Sequence, residues 1–106
     1  MSLTAARNHL RELLSDIPGD VKVYAGPSDY AQAEQAFIVR VLVGEPSEDN
    51  EAALDDLLAA DSPDSVKAAL ETDRSVGVLK HSGYRLYPAP EGKQLLGAEW
   101  TVNHIF

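Results

Sequence analysis

From Ala36 to Val43 every residue is apolar except Arg40. Ile38, Val39, Val41 and Val43 are β-branched, which stiffens the side chain and suits a pleated strand better than a helix. Alternation sends Phe37, Val39, Val41 and Val43 to one face and Ile38, Arg40 and Leu42 to the other. A strand apolar on both sides reads as a central strand covered on both sides. The remaining elements read as that cover or as neighbouring strands.

Upstream, Leu3, Ala6, Leu10, Leu13, Leu14 and Ile17 recur at three- and four-residue steps. This is the stripe of an amphipathic helix. Ser2 or Thr4 is placed to cap its start, and Pro18-Gly19 to stop it. Residues 21–24 alternate as a half-buried strand, which the turn formers Ala25-Gly26-Pro27-Ser28-Asp29 end. Residues 30–34 fit a short turn or an open loop. The spacing predicts antiparallel pairing of residues 21–24 with residues 37–43.

Downstream, the acidic loop over residues 44–50 feeds a second helix. Ser47 is its N-cap, and Glu48, Asp49 and Glu51 lie in the first turn, where the helix dipole favours anions. Ala53, Leu54, Leu57 and Leu58 make its buried stripe. Asp61-Ser62-Pro63-Asp64 predicts a further helix with Ser62 as cap and Pro63 in the first helical position. Its Val66, Ala69 and Leu70 face inward, while Lys67 and Glu71 pair outside at the four-residue step. Residues 76–80 and 83–87 read as strand segments either side of His81-Ser82-Gly83, with the glycine marking a bulge or bend in one long strand. Pro88-Ala89-Pro90-Glu91-Gly92 makes a rigid hairpin tip. Residues 95–106 return as a strand. Leu96, Ala98, Trp100, Val102, His104 and Phe106 form its apolar face, and Trp100 is expected as a core anchor. The expected fold is α/β in the broad sense, more closely α+β: a mostly antiparallel sheet of about four strands with helices on one face.

Composition narrows the function. The 106 residues suffice for a single domain over 1–106. The absence of cysteine removes disulfides and thiolate metal sites. Nine Lys and Arg stand against 17 Asp and Glu, a formal net charge of −8. Nucleic-acid binding relies on cations that displace counterions, so a general nucleic-acid binder is excluded. A passage through which DNA slides without adhering is not. No apolar run approaches the roughly 20 residues of a spanning helix. The N-terminal order lacks the pattern of a signal peptide, so synthesis in the host cytoplasm is expected.

The usual signatures of chemistry are missing. There is no Gly-rich phosphate loop, nucleophile elbow or metalloprotease helix motif. His9, His81 and His104 are scattered, and no Asp, Cys or second His lies at ligand spacing from any of them. His9 reads as a histidine at the solvent edge. Adjacent strand positions send His81 and Ser82 to opposite faces. His104, Glu99 and Arg40 could meet only through the fold. The carboxylates over residues 45–56 lack the alternating oxygens and central glycine of a calcium loop, and read as caps and solvated surface. The expectation is no catalytic residue, no cofactor and no metal.

Three stretches together resemble the tail terminator proteins of long-tailed bacteriophages, especially those of actinobacteria. They are Phe37-Ile38-Val39-Arg40-Val41-Leu42-Val43-Gly44, then Ala52-Ala53-Leu54-Asp55-Asp56-Leu57-Leu58 with Ser65-Val66-Lys67-Ala68-Ala69-Leu70-Glu71, and finally Ser82-Gly83-Tyr84 with Leu95-Leu96-Gly97-Ala98-Glu99-Trp100-Thr101-Val102. The resemblance implies a small virion protein that assembles with itself as a ring, usually a hexamer. The ring ends tail-tube growth and joins the tail to the head connector while DNA passes through the hole. The implied partners are other copies of the chain, the tail-tube protein and the head–tail connector proteins, with DNA only as passing cargo and no membrane. A ring subunit needs complementary sheet edges or an apolar flank rather than an active site. Tyr84, Leu86 and Tyr87 are the candidate interface residues, since aromatic side chains favour interface cores. A negative lumen is expected to keep DNA from adhering. The alternatives are another neck or head–tail completion protein, or, in a different class, a small acidic binding module such as an antitoxin or immunity-type inhibitor.

Overall fold

The long strand β5, Gln94–Ile105, lies between two sets of partners. A computed structural model of the chain describes residues 3–25, 34–59 and 61–105. On one side of β5 lies β2, Glu34–Gly44, and beyond it β1, Asp20–Ala25. On the other side lie β3, Val76–His81, and β4, Arg85–Pro88, which pair with successive segments of the same edge of β5. All pairings are antiparallel. Three helices complete the domain: α1, Leu3–Leu13; α2, Glu48–Leu58; and α3, Val66–Leu70.

The expected pairing of the first two strands is observed, with Val23 opposite Val39. The expected long strand with a bend is also observed. β3 and β4 run the same way along β5 and are separated by Ser82, Gly83 and Tyr84, with Gly83 at φ +73°. The bend splits that strand, so the sheet has five strands rather than about four. A single 3-10 turn at Pro90–Gly92 closes the β4–β5 hairpin, held by the Ala89 N–H donating to the Lys93 carbonyl at 2.9 Å.

Alternation along the strands defines one core. Phe37, Val39 and Val41 of β2 and Ala98, Trp100 and Val102 of β5 are buried on one face. Ala6, Leu10 and Leu14 from α1 and its following turn, Leu54 and Leu57 from α2, and Val66 and Leu70 from α3 cover them. Truncating a side chain as large as Phe37 or Trp100 costs about 3–5 kcal/mol, against a typical domain stability of about 5–15 kcal/mol.

The central strand is not covered on both faces, contrary to its doubly apolar pattern. Ile38, Arg40 and Leu42 are half-buried and lie on the face turned away from the core. Neighbouring strands shield them in place of a second helix layer. The α3 boundary also differs. The N-cap is Ser65, whose Oγ accepts from the Ala68 N–H at 3.0 Å. Ser62 instead closes the preceding turn, accepting from the Asp64 N–H at 3.2 Å. Val66 and Leu70 are both buried, four residues apart on one face, as either start would leave them. At the N-terminus α1 already includes Thr4, which is therefore not its cap, and Ser2 lies outside the described residues, as do residues 26–33 and Phe106. The helix ends at Leu13, short of Pro18, and a turn carries Leu14 and Ile17 onto the core.

Gly97 fixes the spacing of β2 and β5. A Cβ there would lie 2.4 Å from the Val41 carbonyl oxygen, beside the register shift between Leu42 and Gly44. Gly77, in β3, has nothing within 4 Å of such a Cβ. Gly97→Ala is therefore expected to destabilise the domain by about 1–3 kcal/mol through overpacking. Gly77→Ala should stay within about 0.5 kcal/mol of the parent. Urea denaturation of the two variants checks the contrast.

Candidate functional site

The face of the sheet turned away from the helices carries a row of polar and aromatic side chains. Arg40 is the centre of it. Its guanidinium lies 5.2 Å from the ring centroid of Tyr24 and 5.2 Å from that of Tyr87, and it donates to the Tyr24 hydroxyl at 2.5 Å. Glu99 faces Arg40 across the β2–β5 ladder and pairs with Arg85 at 3.6 Å. Burial, reinforced by the Glu99 carboxylate, pushes the Tyr87 hydroxyl above its ordinary value. A guanidinium between two aromatic rings is held in place by contacts of about 0.5–1 kcal/mol each. Arg and Tyr held rigid in this way are side chains that dominate protein interfaces.

The candidate interface residues separate here. Tyr87 points to the uncovered face and joins the Arg40 stack. Tyr84 and Leu86 lie at the β3–β4 edge, 49% and 51% exposed, and Leu79 in the β3 bulge is 65% exposed. Of the large apolar side chains left exposed among the described residues, Tyr24 and Ile105 lie elsewhere, and these three share one edge. Lys80 and Arg85, both exposed, alternate with them. The grouping of Leu79 with Tyr84 follows from β3 and β4 succeeding one another along β5, as the expected bent strand implies; the bulge that exposes Leu79 is what residue order alone does not reveal.

A second feature lies among the helices. Leu13, Ile17, Ala53, Leu57 and Ala69 line a cleft of about 480 Å³ between the end of α1, α2 and α3. Asp16, Asp56 and Asp64 stand at it, and among the described residues no Lys or Arg lines it.

The histidines do not form the constellation that their chain positions left open. His104 is buried on the core face, 2% exposed, while Arg40 and Glu99 lie on the opposite face, so the three do not meet. His104 instead makes an edge-on contact with His9, ring centroids 5.5 Å apart. His9 is not an isolated surface residue. Its Nε2 lies 2.5 Å from an Asp73 carboxylate oxygen, 64 residues along the chain. The other Asp73 oxygen accepts from the Ser75 hydroxyl at 2.6 Å and from the Ser75 N–H at 2.9 Å. Ser75 thus engages the aspartate and not an imidazole, an order that ties α1 to the α3–β3 connection rather than activating a hydroxyl. Among the described residues no group of His, Asp or Glu is placed to hold a metal ion.

The acidic segment acts as a helix start. The Ser47 hydroxyl accepts from the Asn50 N–H at 3.1 Å, and Glu48, Asp49 and Glu51 occupy the first turn of α2. Lys67 and Glu71 pair across one turn as their spacing predicts. The lysine, with help from the Val78 N–H, holds the Glu71 carboxyl below its usual value.

Compared with family models, curated proteins and solved structures, the chain matches none.

The Ser75 hydroxyl, the Ser75 N–H and His9 hold the Asp73 carboxyl well below its ordinary value of 3.8. The carboxylate's contribution to stability is present above pH 3.8 and is lost as pH falls below it toward the lower folded-state value. Asp73→Asn should unfold more easily than the parent at pH 7, and the gap should narrow as pH drops below 3.8. Thermal melts across that range test this. A gap that stays constant with pH would assign the loss to packing alone.

Proposed function

We propose that the chain is a structural subunit of the phage tail terminator kind, which closes into a ring at the end of the tail tube and joins the tail to the head connector. The observation that carries this reading is the gathering of Leu79, Tyr84 and Leu86 at one sheet edge, beside the Tyr24–Arg40–Tyr87 stack. Exposed apolar side chains grouped along one element mark a surface for another protein. The order of elements is compatible with the family reading: a helix, a strand pair, an acidic helical excursion, then the bent β3–β4 strand and β5. The net charge of −8 suits a channel for DNA, since negative walls repel the phosphate backbone.

In this reading the subunit works by shape and repetition. The sheet supplies a rigid body, the exposed edge supplies adhesion, and the negative surface lets the cargo slide. Two measurements test it. Light scattering of the purified chain, alone and with tail-tube protein, should give the mass of a ring. Electron microscopy of particles made without the protein should show uncapped tubes of excessive length. Tails of normal length that fail only to join heads would point to a completion protein instead, and a tight one-to-one complex with a basic toxin to an inhibitor.

A further inference from the structure

The β3–β4 edge and the helix cleft have opposite character. The edge presents Leu79, Tyr84 and Leu86 with Lys80 and Arg85 between them. The cleft presents an apolar floor with Asp16, Asp56 and Asp64 around it. We propose that the two are complementary halves of one contact, the edge of one copy seating its apolar side chains in the cleft of the next. This rests on the ring-subunit reading and names the surfaces it uses.

Three observations favour a second copy as the occupant. First, the cleft takes apolar groups flanked by cations, and this chain exposes such a ridge. Second, its edge is unsuited to extending the sheet. The register slips between Val78 and Lys80, Gly83 sits at φ +73°, and Pro88 lacks an N–H. Strand addition needs an unbroken ladder of donors and acceptors, so this edge offers side chains instead. Third, the two surfaces belong to different elements, the cleft to α1, α2 and α3 and the ridge to β3, β4 and the bend between them. A patch that binds a different patch on an identical neighbour leaves a free copy of each at the ends of any open chain. Such a heterologous contact propagates until the rotation closes a ring. The volume of about 480 Å³ lies in the range of clefts that hold a buried ligand group, ample for a bulky side chain. Facing carboxylates and cations at the rim fix the register and speed encounter more than they add affinity.

The chain contains no cysteine, so engineered thiols report the contact without background. Tyr84→Cys marks the ridge and Thr72→Cys marks the cleft. Under mild oxidation, a mixture of the two single variants should yield one covalent dimer, and neither alone should. The doubly substituted chain should yield a ladder that ends at the closed ring. Asp16→Lys with Asp56→Lys, or Lys80→Glu with Arg85→Glu, should lower the cross-linked yield about tenfold, the effect of some 1.4 kcal/mol. All four positions are exposed, and the Arg85–Glu99 pair is a surface contact at 3.6 Å that contributes little, so circular dichroism should show the fold retained. Raised salt should weaken the cross-link in the parent background. A dimer formed by Tyr84→Cys alone as readily as by the mixture would overturn the proposal in favour of a two-fold contact. So would ring-sized assembly by light scattering that both charge reversals leave intact, in which case the ring reading survives. A chain that stays monomeric with tail-tube protein and gives no cross-link would overturn both.

Discussion

The pairing of β2 with β5 is the interaction on which the rest of the molecule depends. It runs the length of both strands and places Phe37 opposite Val102, Val39 opposite Trp100, and Val41 opposite Ala98. These six side chains form the floor on which the helices rest. A slip of either strand by one residue would turn its three to the uncovered face, so the buried set fixes the register. Gly97 allows the backbones to approach at the one point where the ladder shifts.

Covering the sheet on one face only gives the molecule two unlike sides. On one side, three helices surround an apolar cleft at which Asp16, Asp56 and Asp64 stand. On the other, a guanidinium is stacked between tyrosines, and a ridge of apolar and basic side chains runs along one edge. An acidic chain can still carry such a basic edge, because net charge describes solubility and long-range repulsion, whereas contacts depend on where the charges lie. Five carboxylates, Glu48, Asp49, Glu51, Asp55 and Asp56, are concentrated on α2, while Lys22, Arg40, Lys80 and Arg85 lie on the sheet.

Much of this architecture is legible in the chain. The strict alternation of β5 assigns its faces, and the turn formers around Gly26 and Pro88 separate strands that then pair as expected. Ser47 and its following acids mark the start of α2 because capping and dipole effects act within one turn. Readings failed where tertiary contacts decide. Arg40 lies in an otherwise apolar strand, and only the positions of Tyr24 and Tyr87 show how that strand can leave one face open. Ser62 and Ser65 both suit a cap, and both are used, Ser62 in a turn and Ser65 at the helix start, which no local pattern separates. His9 and Asp73 are joined across 64 residues, beyond any local pattern. The cleft and the exposed edge exist only once helices and strands are assembled, so sequence offered Tyr84, Leu86 and Tyr87 as candidates without separating the edge pair from the stacked ring.

The place of β5 in the chain has a consequence for synthesis. It follows every other described element, yet it is the shared partner of β2, β3 and β4. Before β5 is made, β1 and β2 can form a hairpin and the helices can coil, but β3 and β4 lack the strand they pair with. The exposed edge that carries Leu79, Tyr84 and Leu86 therefore takes shape only once β5 is in place.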